Sequence, residues 1–182
     1  TLQSDSGDLS IFGTVNNDLS TGAGLWIGTD IHNSGATGNV NINSTSGNIY
    51  LEGISAANNS YTWGHGFMLY ANGGDDISIK STTGNISLNG DATTSANFSG
   101  EAVGFVTQIT NSGSFVNINT DGGTVLIKGK SDDTDDDFGA SFRAQNVANN
   151  IAIGDTNTGN ITLQFGSLST NAQSTLGVVS FN

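Results

Sequence analysis

The chain has 182 residues, 26 of them Gly, with no Cys and no Pro, and its 16 acidic side chains outnumber four basic ones for a net charge of −12. That length is one domain's worth, and 35% apolar residues suffice for a continuous but narrow core. The charge argues against binding nucleic acid or an anionic membrane surface, the absence of Cys removes disulfides and thiolate metal sites, and no apolar run reaches the length of a membrane span.

Low hydrophobicity with high charge ordinarily means disorder. Here Ile, Val and Leu recur at alternate positions between glycines, which is the signature of strands with one buried face. In chain order the first expected strands are Thr1-Leu2-Gln3 and the phrase Gly7-Asp8-Leu9-Ser10-Ile11-Phe12-Gly13. Gly24-Leu25-Trp26-Ile27, Asn39-Val40-Asn41-Ile42 and Gly47-Asn48-Ile49-Tyr50-Leu51-Glu52-Gly53 then form a trio. It recurs as Gly66-Phe67-Met68-Leu69, Asp76-Ile77-Ser78-Ile79 and Gly84-Asn85-Ile86-Ser87-Leu88-Asn89-Gly90. The next copy is Gly104-Phe105-Val106-Thr107, Phe115-Val116-Asn117-Ile118 and Gly123-Thr124-Val125-Leu126-Ile127-Lys128-Gly129. Gly139-Ala140-Ser141-Phe142, Asn150-Ile151-Ala152-Ile153 and Gly159-Asn160-Ile161-Thr162-Leu163-Gln164 make another, and Gly177-Val178-Val179-Ser180 opens the last.

Units therefore start near 24, 66, 104, 139 and 177, at spacings of 42, 38, 35 and 38 residues. Recurrence at such a period means stacked copies of one supersecondary unit. Three strands per unit predict an all-β, right-handed parallel β-helix (a β-solenoid) of about five coils of three short strands, as one domain over 1–182. Two coils per unit is the competing reading. Inward positions are Leu25/Ile27, Val40/Ile42 and Ile49/Leu51 in one coil, expected to stack on Phe67/Leu69, Ile77/Ile79 and Ile86/Leu88 in the next. The Ser/Thr/Asn/Gly clusters before each G-N-I phrase read as tight corners. The length differences fall in 54–65, 91–103, 130–138 and 167–176, expected as loops at one edge, where function is mounted. The lack of Pro suits strands that must donate N–H groups on both sides.

The G-N-I-x-L-x-G phrase, following a Gly-led strand and a D/N-I-x-I strand over nearly the whole chain, resembles the haemagglutinin-type repeats of filamentous-haemagglutinin-like adhesins of two-partner secretion. The resemblance implies a fibre shaft on the bacterial surface, secreted and extracellular, serving cell adhesion or biofilm formation. The family's N-terminal secretion domain is not recognisable here, nor is a toxin or receptor-binding tip.

Among candidate sites, Asp132, Asp133, Asp135, Asp136 and Asp137 form the densest charge, and hard oxygen ligands so close could hold Ca²⁺. The run lacks the order of a calcium-binding loop, as does Gly73-Gly74-Asp75-Asp76, and it also reads as a solvated acidic loop that blocks lateral sheet association. No other cofactor is expected. Trp26 and Tyr50 at outward strand positions, with Tyr61 and Trp63 in the loop beside His65, could stack on sugar rings of a host or bacterial surface glycan, with host or bacterial surface proteins the other class of partner. The alternative is that Tyr61 and Trp63 pack the loop onto the solenoid wall. No catalytic residue is assigned: the acids lie mostly in loops, Arg143 is the only Arg, and no Ser or Asp stands at a motif spacing from His32 or His65. A polysaccharide-binding or polysaccharide-degrading protein is kept as a lesser alternative. Five sequons (Asn43, Asn58, Asn85, Asn97, Asn160) are what such Asn-, Ser- and Thr-rich composition generates by chance.

The chain opens on Thr1 rather than Met, without a visible leader, which reads as a processed or excised piece. Thr1, Leu2 and Gln3 occupy a second-strand place, while Val178, Val179 and Phe181 lie in a first strand. Open strand edges associate, so the expectation is a cut from a longer shaft or a subunit that stacks end to end into a filament. Joining Asn182 to Thr1 leaves too few residues for a seamless covalent repeat.

Overall fold

The computed structural model describes residues 1–16, 21–29, 38–56, 63–93, 102–110, 113–131, 138–144 and 150–167, and every regular element among them is a strand. One sheet has the order β1 (Leu2–Ser4), β4 (Val40–Ser44), β7 (Asp76–Ser81), β10 (Phe115–Thr120) and β13 (Asn150–Ile153). A second runs β2 (Leu9–Asn16), β5 (Ile49–Ala56), β8 (Ile86–Ala92), β11 (Val125–Ser131) and β14 (Ile161–Ser167). The third runs β3 (Thr21–Gly28), β6 (Trp63–Ala71), β9 (Val103–Ile109) and β12 (Phe138–Ala144). All pairings are parallel, and each strand pairs with the one three places along the chain. That is a parallel β-solenoid in which each sequence unit gives one strand to each sheet, so the two-coils-per-unit reading does not describe the chain. Among the described residues no helix is long and apolar enough to cross a membrane.

The register is the one that alternation predicts. Leu25 and Ile27 face Phe67 and Leu69, Val40 and Ile42 face Ile77 and Ile79, and Ile49 and Leu51 face Ile86 and Leu88. These columns form a single core in which Phe67, Leu88, Phe105 and Ile127 have no exposed surface. An aromatic row runs through it, Phe67–Phe105–Phe142–Phe165, with centroid separations of 5.3, 5.8 and 6.0 Å. Tilted or edge-on contacts at these distances are the favourable arrangement for aromatic quadrupoles.

Three features lock the corners. In the turn from the first sheet to the second, a Ser or Thr three residues before the glycine acts as a two-way hydroxyl. Ser81 Oγ accepts the Gly84 N–H at 2.9 Å and donates to the carbonyl of Gly47, one coil away, at 2.9 Å. Thr120 repeats this with Gly123 at 3.1 Å and Gly84 at 2.7 Å. Beside it runs an Asx ladder. The side-chain oxygen of Asp8 accepts the Asn48 N–H at 2.7 Å, that of Asn48 the Asn85 N–H at 2.9 Å, and that of Asn85 the Thr124 N–H at 2.9 Å. Backbone donors return the other way, from Ile49 to the Asn85 carbonyl at 2.8 Å and from Ile86 to that of Thr124 at 2.9 Å. The Asn of the recurrent phrase is thus a coil-to-coil connector that satisfies groups a turn would orphan. At the opposite corner the phrase's last glycine meets the glycine that opens the next unit: a Cβ at Gly53 would lie 2.1 Å from the Gly66 carbonyl oxygen.

The third sheet differs from the other two in burying both faces. Its outer side carries Met68, Tyr70, Val103 and Val106, all nearly or fully buried, with Ala23 and Trp26 packed against them. Near-continuous apolar runs such as Phe67-Met68-Leu69-Tyr70 are what a doubly covered strand requires.

Candidate functional site

In the second sheet the inward side chains are spoken for by the core, so the two variable positions of G-N-I-x-L-x-G must all point outward. Parallel in-register pairing stacks them into columns across coils. Tyr50, Ser87, Leu126 and Thr162 form one, and Phe12, Glu52, Asn89, Lys128 and Gln164 form its neighbour. Tyr50 of the first column and Glu52, Asn89, Lys128 and Gln164 of the second line an open groove of about 720 Å³, together with Asp91, Lys130, Leu163 and Phe165. Gly90, Gly129 and Gly166 keep its far side low.

At one end of this face Phe12, 64% exposed, lies 5.3 Å from the Tyr50 ring. Asn89 Nδ2 donates to the Tyr50 hydroxyl at 2.8 Å and holds the ring in place. Burial raises the Tyr50 phenol above its ordinary value despite the Asn89 hydrogen bond, and the nearby Glu52 carboxylate adds to the rise. Further along, Lys130 Nζ meets Asp91 Oδ2 at 2.6 Å. Burial alone would raise the Asp91 carboxyl, but hydrogen bonds from Lys130 and Thr93 outweigh it and hold the group below the usual range. Lys128 is exposed, and among the described residues no carboxylate pairs with it. The face therefore offers an aromatic platform, amides, the Glu52 carboxylate and the Lys128 cation, the equipment of a binding surface.

The other sequence-derived candidates fall elsewhere. Trp26 lies on the third sheet, half-buried, 5.8 Å from the Tyr70 ring, with Nε1 donating to the Thr29 carbonyl at 3.3 Å. It does not share a surface with Tyr50. Tyr61, the Trp63 side chain, His32, Asp132, Asp133, Asp135, Asp136, Asp137, Val178, Val179 and Phe181 lie outside the described residues. Thr1, Leu2 and Gln3 are exposed along β1, where Gln3 donates to Asp5 at 3.1 Å. Asp75 is buried and accepts the Thr29 hydroxyl and, at 2.6 Å, the Gly38 N–H, so it clamps a corner. His65 is buried in β6 and pushed down to about 3, by burial first and then by the Arg143 charge. Among the described residues no three His, Asp or Glu side chains converge to hold a metal.

Sequence reasoning found Tyr50 but missed Phe12, Asn89, Lys128 and Gln164. Their signal was available in the x positions of the recurrent phrase, which become neighbours once the units are stacked. No protein-family profile, curated protein or solved structure matches the chain.

Proposed function

We propose that the chain is a shaft segment of a secreted bacterial surface fibre, a right-handed β-helix of about five coils that mediates adhesion or biofilm formation. The observation that carries this reading is the repetition of every device along one axis. The three ladders, the hydroxyl relay and the Asx row all run from coil to coil, and the sequence invests its invariant positions in that stacking. The outward columns are left to vary, as a scaffold that presents contacts through shape requires. The haemagglutinin-type phrasing of the repeats supports the same assignment. Work is done by the wall and loops without catalysis.

Negative-stain micrographs together with small-angle scattering of the purified chain test it. A rod a few nanometres wide whose length follows the number of coils is the expected result, and a compact, isometric particle overturns it. A second reading, copies stacking end to end, is favoured by β1 and β2, which among the described residues pair on one side only and leave the inward Leu2 exposed. Sedimentation over a concentration series distinguishes the two: growing species indicate stacking, and a constant monomer rules it out.

A further inference from the structure

We propose that the groove on the outer face of the second sheet is a binding site for a linear carboxylated glycan that lies along the solenoid axis, crossing β2, β5, β8, β11 and β14. The site deepens the adhesive reading above and rests on it for its biological setting. Phe12 and Tyr50 would take the apolar face of one sugar ring, Asn89 and Gln164 the hydroxyls, and Lys128 a carboxylate.

The chemistry of the face selects this occupant. An extended peptide would bind by adding to a sheet edge, using free N–H and C=O groups. Here three of the four strands beneath the groove, β5, β8 and β11, are paired on both sides and offer no backbone, and of the four β14 alone lies at the sheet edge among the described residues. An amphipathic helix needs an apolar trough, whereas here Tyr50, Leu163 and Phe165 are interspersed with Glu52, Asn89, Asp91, Lys128, Lys130 and Gln164. A polysaccharide needs the mixture present: a flat aromatic surface for the C–H face of a ring, with hydrogen-bonding side chains repeating along a line. The columns supply one such side chain per coil, about every 4.8 Å, close to the rise per residue of an extended glycan. Pre-organisation is visible in the Asn89 hydrogen bond at 2.8 Å that fixes the Tyr50 hydroxyl.

Charge sets the ligand class. Only four side chains in the protein are cationic, and two of them, Lys128 and Lys130, line this groove. Lys130 is neutralised by Asp91 at 2.6 Å, which leaves Lys128 as the cation that meets an incoming anion. Glu52 stands two strands from Lys128, about 10 Å away, roughly one screening length at physiological salt. It repels a carboxylate weakly there and accepts sugar hydroxyls at its own position. On a chain of net charge −12, the two lysines of this groove balance its two carboxylates, Glu52 and Asp91, so an acidic polymer meets a locally neutral face on which Lys128 is exposed.

Titration of the full chain with an oligouronate and with the matching neutral oligosaccharide, followed by calorimetry and amide chemical shifts, tests the proposal. Saturable oligouronate binding with shifts confined to the groove is expected. Tyr50→Ala should weaken it about tenfold, while Tyr50→Phe keeps the ring and most of the affinity. Lys128→Ala should weaken oligouronate binding about fivefold without affecting any residual neutral-sugar binding, and Lys128→Glu should weaken it further. Each substituted side chain faces outward, so unfolding midpoints should stay near the parent's and separate lost binding from lost fold. No saturable binding, or binding indifferent to both Tyr50→Ala and Lys128→Glu, overturns the site. Equal affinity for the neutral sugar overturns the carboxylate assignment. Rods in micrographs without oligouronate binding sink this site and leave the shaft reading standing, and the converse pair of results sinks the shaft and keeps the site.

Discussion

Gly90 and Gly104 touch back to back: a Cβ on Gly90 would sit 1.8 Å from the carbonyl oxygen of Gly104. The same contact joins Gly13 to Gly24, Gly53 to Gly66 and Gly129 to Gly139, at 2.0, 2.1 and 1.8 Å. These pairs bracket the segments whose length varies from unit to unit, so each segment is closed at its base by two backbones in contact. The obstacle is backbone, which cannot rotate away as a flexible side chain could. Gly90→Ala should therefore destabilise the chain by about 3 kcal/mol, at the upper end of overpacking costs. Gly122→Ala, where an added Cβ meets nothing within 4 Å, should be close to neutral. Urea unfolding of both variants checks the pair, and equal midpoints would refute the contact's importance.

The hydroxyl relay makes a second, sharper prediction. Ser81→Ala removes an acceptor from Gly84 N–H and a donor to the Gly47 carbonyl in a fully buried corner. Two groups left unsatisfied cost about 3 kcal/mol. Ser81→Thr should be tolerated, because Thr120 performs the same task at the paired position one coil on. Thermal melts of the two variants decide it: comparable losses would mean that the hydroxyl is not what the corner requires.

At Asn85 of the Asx ladder the acceptor oxygen carries the link to the next coil. Asn85 Oδ1 receives both the N–H and the hydroxyl of Thr124 at 2.9 Å. Asn85→Asp should fold as well as the parent, since Asp8 already fills the equivalent place. Asn85→Leu should lose about 1 kcal/mol. Denaturant midpoints that rank Asp with Leu would contradict this.

His65 gives the chain a pH dependence of definite sign. Its folded pKa, about 3, lies below the ordinary 6.5, so at intermediate pH the unfolded chain binds a proton that the folded chain refuses. Stability is then intact above 6.5 and falls as pH drops toward 3, approaching about 1.4 kcal/mol per pH unit from this residue. His65→Gln should flatten that slope between pH 6.5 and 5, above the carboxylate range. Parallel stability curves for variant and parent would rule out His65 as the source.

Much of the fold was legible in the sequence because alternation carries the register. Once Leu25, Val40 and Ile49 are placed inward, a one-residue slip would expose the whole apolar set, and the pairings Leu25–Phe67, Val40–Ile77 and Ile49–Ile86 follow. The roles of the conspicuous small residues were less accessible. Gly53 closes the strand phrase as expected, yet its lack of a side chain is required by the proximity of Gly66, a contact 13 positions away that local pattern does not encode. The double burial of β6 was present in Phe67-Met68-Leu69-Tyr70 but looked like half-burial when only alternate positions were weighed. The groove was visible in part: Tyr50 stood out as an aromatic, whereas Asn89, Lys128 and Gln164 look ordinary until stacking aligns them.

The direction of the hydrogen bonds has a mechanical consequence. In all three sheets the bonds that join coils point along the axis of the solenoid, and so do the Asx and hydroxyl links. Tension applied at the two ends of such a rod loads one coil boundary at a time, as in peeling, whereas strands pulled along their length must break many bonds together. The chain should therefore lengthen under force in coil-sized steps, each releasing roughly one unit of contour. Re-zipping would be templated by the coil that remains, making the stack a reversible extensible tether.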